Sequence, residues 1–259
     1  MESTLINSVN GKTYFSVFNK KNIILEGVIT LILKRGFVIQ DNSDYKQGSN
    51  GIFIKSNNFS NRKDLGLFEI NSNFFILKPG YKVKVGGKVS YNKFNDGIRS
   101  NNIKNIDYIK IINKINRNIN YISIGKNNNF LPNPNRIDDN TLNNFNIKTS
   151  ALDFFKSLEF MLVKIDFPTI VGKNFKSNNY SILLDTESQT LLTYYNEAIY
   201  NPITKNPDVI LLSSEFLNQP QWNPGDKFDY IIGIIMYKFG RFTIVPRDNK
   251  DIGKIKKSF

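Results

Sequence analysis

Apolar positions recur at every second residue in short runs along the chain. Val, Ile, Phe and Tyr alternate with Lys, Thr and Ser in short runs, and Gly, Asn and Pro punctuate them. A period of two places alternate side chains on opposite faces of a strand, so the pattern predicts a β protein. The expected strands fall in two sets. The first covers 22–33, 36–41, 51–55, 81–91 and 98–111; the second covers 158–171, 180–185, 190–194, 226–237 and 241–246. A helical period is visible only over 149–158, where Ser150 stands at a capping position. Ala is the best helix former, and the chain holds only two, Ala151 and Ala198.

The two sets look like copies of one unit. Pro79-Gly80-Tyr81-Lys82-Val83 resembles Pro224-Gly225-Asp226-Lys227-Phe228. Each is followed by a strand with a Gly (Gly87, Gly233), a Tyr (Tyr91, Tyr237), a Lys-Phe pair (Lys93-Phe94, Lys238-Phe239) and another Gly (Gly97, Gly240). Upstream, Glu26–Ile29 resembles Glu159–Leu162, and Phe37–Asp41 resembles Ser181–Asp185. The shared order is read as an internal duplication. A long bending strand, a hairpin and two closing strands describe an OB-type barrel. Gly27, Gly86 and Gly87 stand where a small barrel needs a bulge or bend. The expected architecture is therefore all-β: two tandem OB-fold-like small barrels. They cover 20–112 and 149–248, joined by an irregular Asn-rich linker over 113–148 and followed by a basic, disordered tail over 249–259.

Composition narrows the chemistry. The 259 residues include no Cys and no His. That removes thiolate metal sites, disulfides, cysteine nucleophiles, imidazole acid–base catalysis and the Ser–His–Asp triad. No catalytic residue, metal ligand set or small-molecule cofactor is expected. Asp185-Thr186-Glu187 reads as a solvated turn rather than half of a cation site, and Asp138-Asp139 as a turn or helix start. Lys82 and Val89 interrupt the phosphate-loop pattern that Gly80–Lys88 superficially offers. Trp222, between Pro220 and Pro224, reads as a loop anchor. The apolar runs are far shorter than a spanning helix needs, and the first residues lack the apolar stretch of a signal peptide.

The net charge is +13, but 28 Lys stand against seven Arg beside 38 Asn, the signature of A/T-rich codons. Drift alone would spread the charge. Instead, residues 78–126 carry eleven Lys or Arg against two acids, while 151–248 carry nine against eleven. Concentrated positive charge displaces counterions from a phosphate backbone. On the fourth strand of the first barrel, Lys82 and Lys84 share the face opposite Val83 and Val85. Lys88, Lys93, Arg99 and Lys104 follow, with Tyr91 and Phe94 among them and Phe53 on the third strand. Basic residues interleaved with aromatics track a backbone and stack bases. The competing readings are that Tyr91 and Phe94 are core aromatics and that the lysines guard a solvated sheet edge.

The motifs also resemble a known family. Glu26-Gly27-Val28-Ile29-Thr30, Gly36–Asp41, Gly51–Ile54 and Gly80–Val89 resemble the N-terminal region of large secreted bacterial nucleases of the endonuclease/exonuclease/phosphatase superfamily. Leu158–Val163, Pro224-Gly225-Asp226 and Gly233–Gly240 continue the likeness, which spans 22–246. Phe160 stands where that family carries Gly, which implies a less sharply bent strand. The family's metal-dependent catalytic domain has no counterpart here. The resemblance implies a non-catalytic accessory region, secreted or periplasmic, whose partners are nucleic acid, bound weakly and without sequence preference, or a nuclease catalytic domain. Two other outcomes fit the same residues: a surface or interaction module that binds protein or glycan, and the remnant of a truncated nuclease.

Overall fold

A computed structural model of the chain describes residues 2–45, 48–56, 59–62, 65–70, 73–114, 119–138, 145–174, 179–187, 190–218, 220–238 and 240–258. The expectations placed on Asp139 and Phe239 lie outside the described residues. The protein is all-β and divides into two compact units. The first holds Met1–Asn120 and Leu158–Leu162; the second holds Tyr121 onward, including Phe145–Ser157 and Val163–Phe259.

The first unit is a closed five-stranded barrel. Its strands are β1 (Asn22–Leu33), β2 (Gly36–Gln40), β3 (Gly51–Lys55), β7 (Lys82–Lys93) and β8 (Arg99–Asn113), in the order β1-β2-β3-β8-β7. All neighbours are antiparallel except β3 and β8, which run parallel. Inward residues Leu25, Ile29, Phe37, Ile39, Ile52, Ile54, Val83 and Val85 fill the interior, as the period of two requires. The register of β7 on β8 shifts beside Gly87, as a bulge there requires; on β1 the shift falls at Ile29–Leu31 rather than at Gly27.

Two parts of this unit escaped the sequence pattern. A short helix α1 (Ile6–Asn10) buries Ile6 and Val9 in the barrel core, so the unit begins well before residue 20. Between β3 and β7, strands β4 (Phe59–Arg62), β5 (Leu65–Ile70) and β6 (Asn73–Leu77) form a three-stranded antiparallel sheet. It lends Phe68 and Leu77 to the same core. The alternation inside these strands is only a few residues long, and the sequence reading assigned them no element.

The second unit is a nine-stranded sheet rather than a closed small barrel. Its strands are β9 (Ile122–Ile124), β10 (Leu162–Asp166), β11 (Thr169–Asn174), β12 (Asn179–Leu183), β13 (Val209–Leu212), β14 (Lys227–Phe228), β15 (Tyr230–Lys238), β16 (Arg241–Val245) and β17 (Ile255–Lys256). They run in the order β17-β14-β11-β12-β13-β16-β15-β10-β9. The expected single strand over 158–171 is broken, because Phe167 takes φ 51° and Pro168 has no N–H to donate. Thr190–Tyr194 forms only an isolated bridge at Leu192, paired with Ala198, while β13 supplies the strand instead. Within the expected linker, β9 pairs parallel with β10.

Helix α2 (Ala151–Ser157) begins at the predicted cap: Ser150 Oγ accepts from the Asp153 N–H at 3.1 Å. Its Phe154 and Phe155 join an aromatic series with Phe130, Phe242 and Tyr237 at centroid spacings of 4.7–5.6 Å. Trp222 is buried against Tyr180 and Phe228, each 5.0 Å away, as a loop anchor should be.

One turn in each unit has the same pair of backbone hydrogen bonds. In the first, Gly80 N–H donates to Ile29 O at 2.7 Å and Ile29 N–H to Tyr81 O at 2.9 Å. In the second, Gly225 N–H donates to Ile170 O at 2.8 Å and Ile170 N–H to Asp226 O at 2.8 Å. Gly80 and Gly225 share φ near 90°, a conformation open to glycine. Ile29 thus matches Ile170, and Glu26–Ile29 matches Phe167–Ile170, not Glu159–Leu162 as the sequence likeness had it. The register shifts follow suit: Ile29 pairs with Ile39, and Ile170 with Ile182. The likeness of Phe37–Asp41 to Ser181–Asp185 is accordingly out by one residue.

The tail is ordered, contrary to the expectation from its charge. Ile255 and Lys256 pair with β14. The fully buried Asp226 carboxylate accepts from Lys257 Nζ at 2.8 Å, Ser258 N–H at 2.9 Å and Asn223 N–H at 3.0 Å. Local charge counts miss such a pairing because Asp226 and Lys257 lie far apart in sequence.

Candidate nucleic-acid interface

Strands β7 and β8 extend as a hairpin arm closed by a turn at Phe94–Ile98. Phe94 N–H donates to Ile98 O at 2.9 Å, and the Asp96 carboxylate accepts from the Ile98 N–H at 3.1 Å. The register places Lys88 opposite Lys104, Tyr91 opposite Asn101 and Lys93 opposite Arg99. Six expected site residues, Lys88, Tyr91, Lys93, Phe94, Arg99 and Lys104, therefore share this one arm.

The six divide by face. Val89 and Ile103 point into the core, so their neighbours Lys88 and Lys104 stand together on the outer face. Cross-strand partners lie about 5 Å apart at Cα, and like charges so placed repel. Among the described residues no carboxylate lies within 4.0 Å of Lys88, Lys93 or Lys104. On the other face, Arg99 is held between two rings: its guanidinium carbon lies 4.4 Å from the Phe15 centroid and 4.5 Å from that of Tyr91. This sandwich fixes the Arg99 plane while leaving its N–H groups as donors. Tyr91 is thus an arginine platform at the rim, not a core aromatic. Phe15 was missed by sequence reasoning, since it lies before the expected domain and has no strand pattern around it.

Two other expected residues are already engaged. Lys82 Nζ is 2.5 Å from Glu26 Oε1, and Lys84 Nζ is 4.0 Å from Glu26 Oε2. One carboxylate on the neighbouring strand β1 serves both ammonium groups. Lys82 and Lys84 share the outer face of β7 with Lys88, but Glu26 answers their charge.

Phe53 lies on β3, not on the arm, and packs against the protein's own chain. Its ring stacks on Phe160 with centroids 6.1 Å apart and planes at 27°. The stretch Leu158–Leu162 lies along β2 and β3: Leu162 N–H donates to Gln40 Oε1 at 2.7 Å, Ser100 Oγ donates to Glu159 Oε1 at 2.7 Å, and Ser49 Oγ donates to Glu159 O. Gly51 is required beneath it, because a Cβ there would sit 2.0 Å from Phe160 O. The β2–β3 face, where OB-type barrels commonly take ligand, is thus covered by the protein's own chain. Phe160 adopts φ 63° despite its side chain, so the chain turns as sharply here as a glycine would allow. The expectation of a straighter strand at Phe160 fails, because Phe160 is held by its burial against Phe53.

A cavity of about 450 Å³ opens beside the arm, lined by Asn19, Lys20, Lys88, Tyr91, Lys104 and Asn105 among others. Lys20 reaches it through a backbone pairing with β7: Lys20 N–H donates to Val89 O, and Val89 N–H to Lys21 O, both at 2.9 Å. Lys20 was not singled out by the sequence, because only this pairing brings it beside Lys88.

Elsewhere the chemistry stays silent. Asp185 pairs with Lys126 at 3.2 Å, Thr186 donates to Asp208 at 3.0 Å, and no cluster of acidic side chains suited to a metal ion occurs among the described residues. No helix among them is long and apolar enough to cross a membrane.

Fold and site together define an all-β protein of two units, one of which carries a cationic hairpin arm. Over residues 119–257, just over half of the chain, the sequence matches a family described as a domain of unknown function (DUF8508), and the protein belongs to that family. The matched segment begins after β8, so the arm lies outside it. No curated protein and no solved structure matches the chain.

Proposed function

We propose that the first unit is a non-catalytic, sequence-tolerant nucleic-acid-binding module and that both units are OB-type domains descended from one duplicated unit. The duplication reading is supported by the shared strand order, the shared parallel pair and the matched turns at Gly80 and Gly225. In this reading the module holds substrate for a nuclease catalytic domain encoded elsewhere, and raises its effective concentration there. The observation that carries nucleic-acid binding is the direct opposition of Lys88 and Lys104, with no carboxylate among the described residues within 4.0 Å of either. Two like charges held side by side cost stability unless a polyanion answers them. Arg99, clamped between Phe15 and Tyr91, adds a pre-oriented donor group at the end of the same arm.

The test is fluorescence anisotropy of a labelled single-stranded oligonucleotide at low and moderate salt. Binding should weaken steeply with salt, and Lys88→Ala/Lys93→Ala/Lys104→Ala should reduce the slope of log K against log salt by roughly 2. Absence of binding even at low salt would sink this reading.

A second reading is favoured by one feature of the second unit. Its loop between β12 and β13 displays Tyr194, Tyr195 and Leu191 at 94%, 74% and 70% exposure. The loop backbone is nonetheless well bonded: Ile199 N–H to Leu191 O, Thr193 N–H to Glu197 O and Ala198 N–H to Val171 O, each at 2.8 Å. An ordered loop with an apolar tip is the form of an interaction surface. An interaction module would bind a protein or glycan with little salt dependence, and Tyr194→Ser/Tyr195→Ser would abolish that binding while sparing any oligonucleotide binding.

A further inference from the structure

We propose that the cavity between residues 19–20, β7 and β8 is a binding site for a doubly charged phosphate group, such as the terminal monoester of a strand or a pyrophosphate. The proposal deepens the nucleic-acid reading and rests on it for the strand-end case alone.

Three lysines line this single cavity of about 450 Å³: Lys20, Lys88 and Lys104. They come from three separate segments. Lys88 and Lys104 are register partners, and the two backbone bonds to Val89 and from it hold Lys20 on the opposite side of β7. Among the described residues none of the three has a carboxylate within 4.0 Å. Among the described residues, the cavity lining also includes no acidic residue.

The backbone beside the cavity takes two uncommon conformations. Lys20 has φ 69° and Asn105 has φ 50°, both left-handed and neither a glycine. Asn105 follows Lys104 within the bulge that shifts the β7–β8 register. Residues held in such conformations collect at ligand clamps, and here two of them border the same cavity.

The number of charges selects the ligand. A phosphodiester carries one negative charge, and successive diesters are spaced along a strand. A row of lysines suits that spacing; three lysines converging on one cavity do not. A phosphomonoester carries between one and a half and two charges near neutral pH and offers three acceptor oxygens, roughly one for each ammonium. The cavity is large enough for that group with its sugar attached. Asn19 and Asn105 also line it, as does Tyr91, on whose ring Arg99 is stacked.

The experiment compares three probes on the full chain: an oligonucleotide with a 5′-phosphate, the same oligonucleotide with a 3′-phosphate, and the same oligonucleotide with hydroxyl at both ends. Inorganic pyrophosphate is then titrated alone by calorimetry and as a competitor. One phosphorylated end should bind at least about fivefold tighter than the hydroxyl form, and pyrophosphate should displace it. Lys88→Gln/Lys104→Gln, and separately Lys20→Gln, should erase the difference without lowering the melting temperature. Equal binding of all three oligonucleotides, with no displacement by pyrophosphate, overturns the proposal but leaves backbone tracking by the arm intact. Pyrophosphate binding that depends on Lys88, without binding of any oligonucleotide, supports the site and sinks the nucleic-acid reading instead. No binding of either class overturns both.

Discussion

The two units meet the same backbone plan and end differently. At the turn before the fourth strand, Gly80 and Gly225 make the same pair of bonds to Ile29 and Ile170. Just upstream the chains part. In the first unit β1 runs unbroken from Asn22 to Leu33 and pairs with β7 over seven residues, which closes the barrel. In the second, Phe167 and Pro168 stand where Glu26 and Gly27 stand in the first. The chain kinks there, β10 and β11 become separate strands, and an extended sheet results. Pro168 still accepts a bond from the Phe228 N–H at 3.0 Å but returns none. The next difference is Tyr81 against Asp226. Asp226 is buried and recruits Lys257 and Ser258, so the tail adds strand β17 to the opened sheet. Three differences, Phe167, Pro168 and Asp226 against Glu26, Gly27 and Tyr81, thus accompany a closed barrel in one unit and an extended sheet with a docked tail in the other.

The largest effect is expected at Gly51. Gly51→Ala would drive a methyl group into the Phe160 carbonyl, and either β3 or the covering stretch must move. We expect a loss of about 3 kcal/mol confined to the first unit, read as faster hydrogen exchange there. The fluorescence of Trp222, in the second unit, should not change.

Phe160→Ala should cost about as much, roughly 3 kcal/mol, through lost burial against Phe53. Phe160→Gly should be more stable than Phe160→Ala by about 1 kcal/mol, because φ 63° suits glycine. Chemical denaturation measures both. The reverse ranking would show that residue 160 is not held in the left-handed region.

In the second unit, Asp226→Ala should cost about 2 kcal/mol, since several hydrogen bonds to a buried charged group are lost. Trp222 lies beside Phe228 and should report the transition. Burial pushes the Asp226 carboxyl up, but hydrogen bonds from Lys257, Asn223 and Ser258 outweigh it and hold the group below its ordinary value near 3.8. A carboxyl lowered on folding contributes stability that is complete above its unfolded value and is lost as pH falls through the folded one. Stability of the second unit should therefore drop below roughly pH 4, and the Asp226→Ala variant should lack that part of the drop.

The smallest effect sharpens the contrast within the arm. Lys82 is already paired with Glu26, so Lys82→Ala should change stability by less than about 1 kcal/mol. It should also leave oligonucleotide affinity close to that of the parent. Lys88→Ala should instead weaken binding at low salt. Equal losses from both variants would mean that Glu26 does not neutralise Lys82 in solution.

Local periodicity was enough to determine a good deal. The alternation of Val, Ile and Phe with polar residues marked β1, β2, β3, β7 and β8, because a strand's two faces are written directly into its sequence. The capping Ser150, the turns at Gly80 and Gly225, and the run of lysines on the arm were legible for the same reason: each is a short-range feature with its own residue signature. The absence of Cys and His restricts the chemistry by composition alone, since no fold can supply a thiolate or an imidazole that the chain lacks.

Tertiary structure alone decided the rest, because the interactions concerned join residues far apart in the chain. Nothing near Phe53 announces that Phe160 will stack on it, and nothing near Lys82 shows that Glu26 will answer its charge while no described carboxylate answers Lys88 or Lys104. Sequence likeness matched Glu26 to Glu159, but the hydrogen bonds of Ile29 and Ile170 place the correspondence eight residues later. Whether a lysine is a partner, a surface charge or part of a phosphate site depends on what the fold brings within reach of it. Coulomb energy and hydrogen bonding act over a few ångströms of space, whatever the separation along the chain.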